Sequence, residues 1–188
     1  MQDSREQWVN DQSEMDAASL VFLDETGINL GMTRLYGRAF GKERVVDYVP
    51  DVRFDRVSLL SSVRLDATLV PLVFSGALDG KLFLEYITQC LAPTLKEGDI
   101  VIMDNASPHK VKGVAEAIEA RGAYLLYQPT YSPDFNPAEN MWSKIKTALR
   151  TAKARTMDAL FDALKYALDN VSISDIKGWF MSCGYCVL

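Results

Sequence analysis

The sequence predicts an α/β fold in which a mixed β-sheet is flanked by α-helices. Two observations carry this prediction: strand-like apolar runs dominate the first part of the chain, and apolar runs alternate with helical periodicity in the second. Strand-helix-strand units need right-handed crossovers, so the later strands are expected to be parallel members of a mixed sheet. With 188 residues and no internal repeat or low-complexity linker, the chain is expected to form one core.

The first part of the chain is expected to form a meander of strands. The apolar run at residues 19–23 predicts a buried strand that ends at Asp24 and Glu25, because a threonine and a glycine follow. Three further strand-like runs lie at residues 30–36, 44–49 and 57–75. The last run is long enough to hold two strands that turn near Asp66.

Helices and strands alternate in the second part of the chain. Apolar residues at helical spacing predict the helices, and glycine or proline residues mark the ends of the elements. The predicted elements are a helix at 81–95, a strand at 100–103, a helix at 111–121, a strand at 123–127, a proline-rich loop at 128–137, and helices at 138–155 and 157–171.

The charge is distributed unevenly along the chain. The formal net charge is −5, which argues against a surface built as a whole to bind polyanions. The first 25 residues hold seven acids and one base, so the rest of the chain carries a net charge of +1. Residues 140–157 hold five bases and no acid. This segment is either a local anion-binding patch or a solvated helix face.

The three cysteines and the N-terminal residues predict a cytoplasmic protein with reduced thiols. Cys90, Cys183 and Cys186 are odd in number, and the first residues lack the basic and apolar pattern of a signal peptide. No apolar run approaches the length of a membrane-spanning helix. The C-x-x-C spacing of the last two cysteines allows a zinc or redox pair, but with one histidine in the chain we expect packed or terminal thiols.

Two aspartates are expected to meet at one edge of the sheet. Asp24 and Asp104 each follow an apolar run, and open α/β sheets place their sites at the carboxyl ends of such strands. Each could instead be an ordinary turn or capping residue. Two carboxylates that converge favour a metal ion, because like charges otherwise repel.

Glu139 is the third candidate acid, at the start of the helix that follows the proline-rich loop. The helix dipole favours an acid in a first turn, so capping alone could explain it. At about 100° per residue, however, Glu139 shares a helix face with Lys146, Arg150 and Lys153. A carboxylate that leads a row of cations suits an anionic polymer whose phosphate is held at the acids.

The three acids together predict a site for Mg²⁺ or Mn²⁺. Both ions prefer hard oxygen ligands and bind phosphates through one or two carboxylates. Two ions would activate an attacking oxygen and stabilise a leaving oxygen in an in-line displacement. The predicted chemistry is phosphodiester cleavage or transfer.

Three stretches of the chain resemble a known family. These are FLDETGINLGMTRLYGRAFGKERV at residues 22–45, VIMDNASPHK at 101–110 and YSPDFNPAENMWSKIK at 131–146, with 34 residues between Asp104 and Glu139. The chain resembles the catalytic domain of DDE transposases of the mariner superfamily, in the bacterial insertion-sequence branch. The resemblance implies a ribonuclease H-like fold, a metal-binding triad of Asp24, Asp104 and Glu139, and DNA excision and integration by hydrolysis and strand transfer.

The resemblance also implies roles for neighbours of the triad. Asn105 and His109 fall on the D-N-x-x-x-H positions of the family and are expected to orient the site or contact DNA, although His109 could equally be structural. Asn136 and Asn140 flank the glutamate in its N-P-x-E-N context. Glu25, in the D-E-T-G motif, is expected to be structural or to support Asp24 rather than to bind metal.

The domain and partner expectations follow from the same resemblance. Residues 1–17 are expected to be an acidic helical or linker segment and residues 18–188 the catalytic domain, without the helix-turn-helix DNA-binding domain that usually precedes it. The expected partners are element-end and target DNA, a second copy of the chain, and a separately encoded DNA-binding half, at the bacterial nucleoid. Two alternatives stay open: a non-catalytic DNA-binding or assembly module, and a ribonuclease H-like nuclease that only hydrolyses.

Overall fold

The computed structural model describes residues 2–51 and 54–187, and within them it contains one five-stranded sheet. The strands are β1 (Leu20–Ile28), β2 (Val57–Arg64), β3 (Leu72–Ser75), β4 (Ile100–Met103) and β5 (Tyr124–Tyr127). They lie in the order β3-β2-β1-β4-β5. The first three pair in antiparallel fashion, and β4 and β5 run parallel to β1. The predicted mixed sheet is confirmed.

Strand β1 is longer than predicted. It continues through the two carboxylates to Ile28 because β2 pairs with it in antiparallel register from Val21 to Ile28. The expected end at Asp24 and Glu25 is therefore wrong. Glycine weakens a strand interior, but the hydrogen bonds with β2 outweigh this effect at Gly27. The parallel pairing with β4 is shorter and ends at Phe22.

Helices cover both faces of the sheet. They are α1 (Gln2–Gln12), α2 (Gly80–Tyr86), α3 (Val114–Glu119), α4 (Pro137–Ala152), α5 (Met157–Asp169) and α6 (Ile173–Ser182). Helix α2 continues through a π-helical turn at Ile87–Leu91 and a 3-10 turn at Ala92–Thr94, so the predicted helix at 81–95 is confirmed with a change of pitch. Helix α6 was not among the predicted elements, although Ser172 and Asp175 form a capping box at its start.

The two faces of β1 belong to two apolar clusters. Phe22 and Ile102 pack with residues of α1, α4, α5 and α6, and the ring of Phe22 meets Phe180 edge-on at 5.4 Å. Val21 and Leu23 pack on the other side with residues of α2 and α3. The alternation of side chains along a strand thus makes β1 the centre of a three-layer structure.

The strands predicted at residues 30–36 and 44–49 are wrong. Residues 29–51, which we call the arm, contain no strand and carry exposed aromatic side chains such as Tyr36 and Phe40. Both edges of β1 are occupied, by β2 and β4, so strand-like residues that follow β1 find no partner there. The adjacent prediction of two strands within 57–75 is confirmed.

The N-terminal segment is helical and contributes to the core, and the cysteines form no disulfide. Residues 2–12 of the segment expected to be helical or linker form α1, and its Trp8 is buried in the core. The outer limits of the expected units, Met1 and Leu188, lie outside the described residues. All three cysteines are free, and burial raises the pKa of the Cys183 thiol to about 11. Among the described residues, no helix has the length and apolarity to cross a bilayer.

Candidate metal centre

The end of the parallel strand pair places two of the predicted acids side by side. The last paired residues of β1 and β4 are Phe22 and Ile102, and Asp24 and Asp104 each follow two positions later. Side chains two apart on a strand share a face, and both Phe22 and Ile102 face the cluster that contains α4. The two acids are therefore directed toward the start of α4, where Glu139 lies.

The three acids line one cavity of about 420 Å³. The structure thus brings together the predicted triad. The remaining walls come from the D-N motif after β4 and from the proline-rich loop. The cavity is lined by Asp24, Asp104, Asn105, Ala106, residues 128–133, Asn136 and Glu139.

Asp24 is the most perturbed acid of the cavity. Its Oδ1 accepts a hydrogen bond from the Glu25 amide at 2.8 Å, whereas its Oδ2 is buried and accepts none from the described residues. Burial is the main cause that raises the pKa of Asp24 to about 7, and the negative charges of Glu139 and Asp104 contribute to the same rise. A buried carboxylate oxygen without a donor, beside two more carboxylates, has the chemistry of a cation ligand.

Asp104 is held ionised by its neighbours. Its Oδ1 lies 2.7 Å from Nδ1 of His109 and accepts a hydrogen bond from the Ala106 amide at 2.9 Å. The hydrogen bond with His109 holds the pKa of Asp104 below its usual range, against the opposing effect of burial. The imidazole is itself buried against the ring of Phe83, at 4.4 Å between centroids. The contact fits the site-orienting role that the sequence analysis considered for His109.

Glu139 enters the cavity from the first turn of α4. Asn136 caps this helix by accepting a hydrogen bond from the Ala138 amide at 3.1 Å, and Pro137 occupies the first helical position. The carboxylate of Glu139 is exposed, and its charge acts on the pKa of Asp24. The helix start therefore delivers the third acid to the same place as the two aspartates.

The acids converge without forming a closed metal shell. Among residues 2–51 and 54–187, no three His, Cys, Asp or Glu side chains are grouped closely enough to hold one ion. Two physical causes are present: carboxylates repel one another, and one oxygen of Asp104 is already engaged by His109. A cation would have to draw the carboxylates together.

Two other predicted neighbours line the cavity, and two do not. Asn105 lies in the wall and donates a hydrogen bond from Nδ2 to the Gln128 carbonyl at 2.6 Å, while Asn136 acts as the cap of α4. Asn140 instead points toward α6, where its Nδ2 lies 3.5 Å from Sγ of Cys183. Glu25 is not a wall residue either.

Glu25 lies on the opposite face of β1 from Asp24. Its Oε1 accepts a hydrogen bond from Nη2 of Arg56 at 2.8 Å. Adjacent residues of a strand point to opposite faces, so Glu25 can stabilise the strand but cannot reach the cavity beside Asp24. Its placement agrees with the structural alternative for this residue.

The three predicted DNA-facing bases differ in their surroundings. Lys146 and Arg150 are half-buried on α4, and Arg150 lines a groove of about 440 Å³ together with Arg34 of the arm. Lys153 follows the last residue of α4 with a left-handed φ of 50° and forms an ion pair with Asp47 of the arm. Its charge is therefore partly neutralised within the chain.

The residues that hold the cavity wall give no local signal in the sequence. The wall segment, residues 128–136, was predicted only as a loop, and its contact with Arg5 of α1 was not predicted at all. The two prolines of that stretch indicate a loop but not its position against the acids. No local pattern links residues that lie more than 120 positions apart.

Comparison with known proteins gives a family match to most of the chain. The family model described as DDE superfamily endonuclease matches residues 19–161. The Tc1 transposase of Caenorhabditis elegans is 32% identical over 79 residues, which are 42% of this chain and 29% of that protein. The Tcb1 transposase of Caenorhabditis briggsae is 25% identical over 106 residues, or 54% of this chain and 39% of that protein. The matches thus span less than half of these curated relatives.

Solved structures share the fold. The Mos1 transposase paired-end complex with left transposon end aligns with a TM-score of 0.76 at 14% identity, over 96% of this chain and 57% of that chain. The catalytic domain of Mos1 mariner transposase aligns with a TM-score of 0.64 at 12% identity, over 99% of this chain and 93% of that chain. The mixed sheet flanked by helices is therefore the ribonuclease H-like fold of these catalytic domains.

Proposed function

Because the chain belongs to the DDE superfamily endonuclease family, we propose that it cleaves DNA phosphodiester bonds and joins the cleaved end to a target strand, as the catalytic domain of a transposase. The convergence of Asp24, Asp104 and Glu139 in one cavity carries this proposal. The cavity is open enough to admit a phosphate, and its acids come from the positions that the family motif predicts.

We propose that Mg²⁺ or Mn²⁺ occupies this centre, as two ions held by the three acids. The unpartnered Oδ2 of Asp24 and an all-oxygen donor set support a hard cation. Mos1 paired-end complexes were solved with Mn and with Mg, which supports the same choice of metal here. When bound, such ions lower the pKa of an attacking water or hydroxyl and neutralise charge on the phosphate.

The side chains of the cavity divide the remaining work. Asp24 must be ionised to hold a cation, and because burial raises its pKa to about 7, it would release a proton on binding one near neutral pH. Asp104 needs no such exchange because His109 holds it ionised and fixes its orientation. Asn105 and Asn136 fix the wall segment and the start of α4, and so set the position of Glu139.

We propose that the DNA backbone runs from the acids along α4, past Lys146 and Arg150, toward the arm. These bases lie on the helix that carries Glu139, and Arg34 extends the positive surface across the groove. Lys153 contributes less because it is paired with Asp47. Element-end and target DNA are the proposed ligands, in line with the Mos1 paired-end complex, which holds a left transposon end, and a second copy of the chain is the proposed partner.

Two further proposals concern how the element ends are recognised and where the protein acts. A separately encoded DNA-binding half would supply recognition of the element ends, and the site of action would be the bacterial nucleoid in the cytoplasm. The bacterial insertion-sequence branch receives no support from the curated relatives reported above, which are nematode transposases. The matches support a relationship of this chain to the Tc1 and mariner transposases.

The test is an assay for nicking and joining with defined DNA probes. Supercoiled plasmid reports nicking, and an oligonucleotide duplex with a free 3′-hydroxyl reports joining, each with Mn²⁺, Mg²⁺ or EDTA. Asp24→Asn and Asp104→Asn are expected to lower the metal-dependent rate by more than about a hundredfold, since the metal supplies several kcal/mol of transition-state stabilisation. Glu119→Gln, an exposed acid at the end of α3, is the control.

Each outcome of this assay selects one function. Joined products that require Asp24 and Asp104 support the transposase. Nicked products without joined strands indicate the nuclease that only hydrolyses. Equal activity in the wild type and the Asp104→Asn variant refutes the catalytic assignment, and DNA binding without Mn²⁺ binding then indicates the non-catalytic module.

A further inference from the structure

Helix α1 reaches across the chain to the wall of the metal centre through one side chain. Nη1 of Arg5 donates hydrogen bonds to Oγ of Ser132 at 2.7 Å and to Oδ1 of Asp134 at 3.0 Å. Nη2 donates to Oδ2 of Asp134 at 2.7 Å, and the guanidinium lies 4.6 Å from the centroid of Phe135. A bidentate pair with a third hydrogen bond fixes both the distance and the orientation of its partners.

The partners of Arg5 belong to the wall segment, residues 128–136. Ser132 is buried and lines the cavity beside the three acids, and the segment leads into the cap of α4 and then to Glu139. Tyr131 adopts a left-handed φ of 57°, which is unfavourable for a side chain of that size. The segment therefore needs contacts from outside to keep its conformation.

Two contacts at Phe135 also hold this segment, and they differ in kind from those of Arg5. Trp8 packs against Phe135 with centroids 6.4 Å apart, and the Tyr185 hydroxyl donates to the Phe135 carbonyl at 2.9 Å. Both contacts are buried and belong to the core. Arg5 and Asp134 are more exposed: their side chains keep 36% and 55% of their accessible surface. Because the pair is exposed, it adds little to the free energy of unfolding. Its directed hydrogen bonds instead fix the positions of Ser132 and Asp134.

We propose that Arg5 is a positioning residue of the metal centre, which acts through Ser132 and Asp134 to set the wall segment and the start of α4. This proposal rests on the proposed function for its activity readout only. Loss of Arg5 would loosen residues 128–136 and lower turnover, because small displacements of catalytic groups are costly in rate. Substrate binding, which depends on the bases of α4, would change little.

The experiment compares Arg5→Met, Asp134→Asn, their double variant and the control Arg121→Met. Arg121 is an exposed arginine just before β5, at the end of the sheet opposite the acids. Amide hydrogen exchange is followed by mass spectrometry, with β2 as the internal reference for global unfolding. Nicking of supercoiled plasmid in Mn²⁺ gives kcat and KM.

The expected result is a local change at the wall segment. Arg5→Met should speed exchange of residues 128–136 and lower kcat, each by about tenfold, with β2 and KM unchanged. The double variant should lose no more than Arg5→Met alone, since Asp134 acts on the wall segment through its contact with Arg5. Arg121→Met should match the wild type.

Either of two results overturns the proposal: exchange at 128–136 that is the same in Arg5→Met and wild type, or losses that multiply in the double variant. A wild-type chain without metal-dependent nicking refutes the proposed function instead. The exchange comparison alone then decides whether Arg5 positions the wall segment.

Discussion

Arg64 and Asp99 form a buried ion pair at the end of the sheet opposite the metal centre. Nη1 and Nη2 of Arg64 donate to the two oxygens of Asp99 at 2.6 and 2.8 Å, and the Lys96 amide donates to Oδ2 at 2.7 Å. The side chains are only 3% and 5% exposed. We predict that Asp99→Asn destabilises the fold without changing the chemistry of the acids.

The expected loss follows from the burial of the charge that remains. Breaking a buried pair by removing one partner costs about 3–5 kcal/mol, because the other charge stays unpaired. Asparagine keeps one acceptor for Arg64, so the lower end of that range, about 3 kcal/mol, applies. For a chain of this size the melting temperature should fall by roughly 6–12 °C.

Urea unfolding followed by circular dichroism at pH 7 measures this loss. Asp66→Asn is the matched control: Asp66 lies 3.9 Å from Nε of Arg64 but is 46% exposed, so its loss should stay below about 1 kcal/mol. The double variant Arg64→Met, Asp99→Leu should recover most of the stability, because buried pairs and apolar pairs are close in free energy. A loss below about 1 kcal/mol for Asp99→Asn would show that the charge of Arg64 does not depend on Asp99 for its compensation.

Three further predictions concern the metal centre and the basic helix. In EDTA, the wild type should lose stability relative to Asp24→Asn as the pH rises from about 4 to about 7. The reason is that burial raises the pKa of Asp24 from 3.8 to about 7, so the folded state keeps the proton to a higher pH than the unfolded state does. Urea unfolding at several pH values measures this loss, and parallel pH profiles of the two proteins would contradict it. His109→Gln should weaken Mn²⁺ binding by about 10–100-fold in calorimetry, because the carboxylate of Asp104 would no longer be held in one orientation by the imidazole. Unchanged affinity in a folded variant would indicate that His109 is a structural residue. Replacing Lys146 and Arg150 by Gln should reduce the steepness of log K against log salt concentration for duplex DNA by about 2. Lys153→Gln alone should reduce it by clearly less than 1, because Lys153 is paired with Asp47. Equal slopes for the wild type and both variants would indicate that these bases form only a solvated helix face.

Local patterns predicted the parts of the fold in which burial decides the structure. The turn near Asp66 separates two strands because apolar residues on either side each face a core, and the sequence displays that pattern directly. The arm has strand-like residues too, yet its strands do not form, because pairing depends on a free edge and β1 has none. Helix α6 shows the opposite error, since its capping box is visible in the sequence.

The site could be predicted as a set of residues but not as a set of contacts. Asp104 and Glu139 stand at positions that local signals mark: the end of an apolar run and the first turn of a capped helix. The hydrogen bond that keeps Asp104 ionised comes from His109, and its geometry depends on the packing of the imidazole against α2. Arg5 is further still from local inference, because its partner lies 129 positions away.

The register between β1 and β4 decides whether the acids can act together. Asp24 and Asp104 lie at matched positions, each two residues beyond the last parallel pair, so they share the face that α4 covers. A slip of one residue would turn one of them toward α2 and α3, on the side where Glu25 lies. The register is held by Phe22 and Ile102, which are fully buried in the cluster beneath α4. The same apolar residues that stabilise the centre of the fold therefore determine which carboxylate of the Asp24-Glu25 pair faces the proposed metal centre, although the sequence alone places both at a strand end.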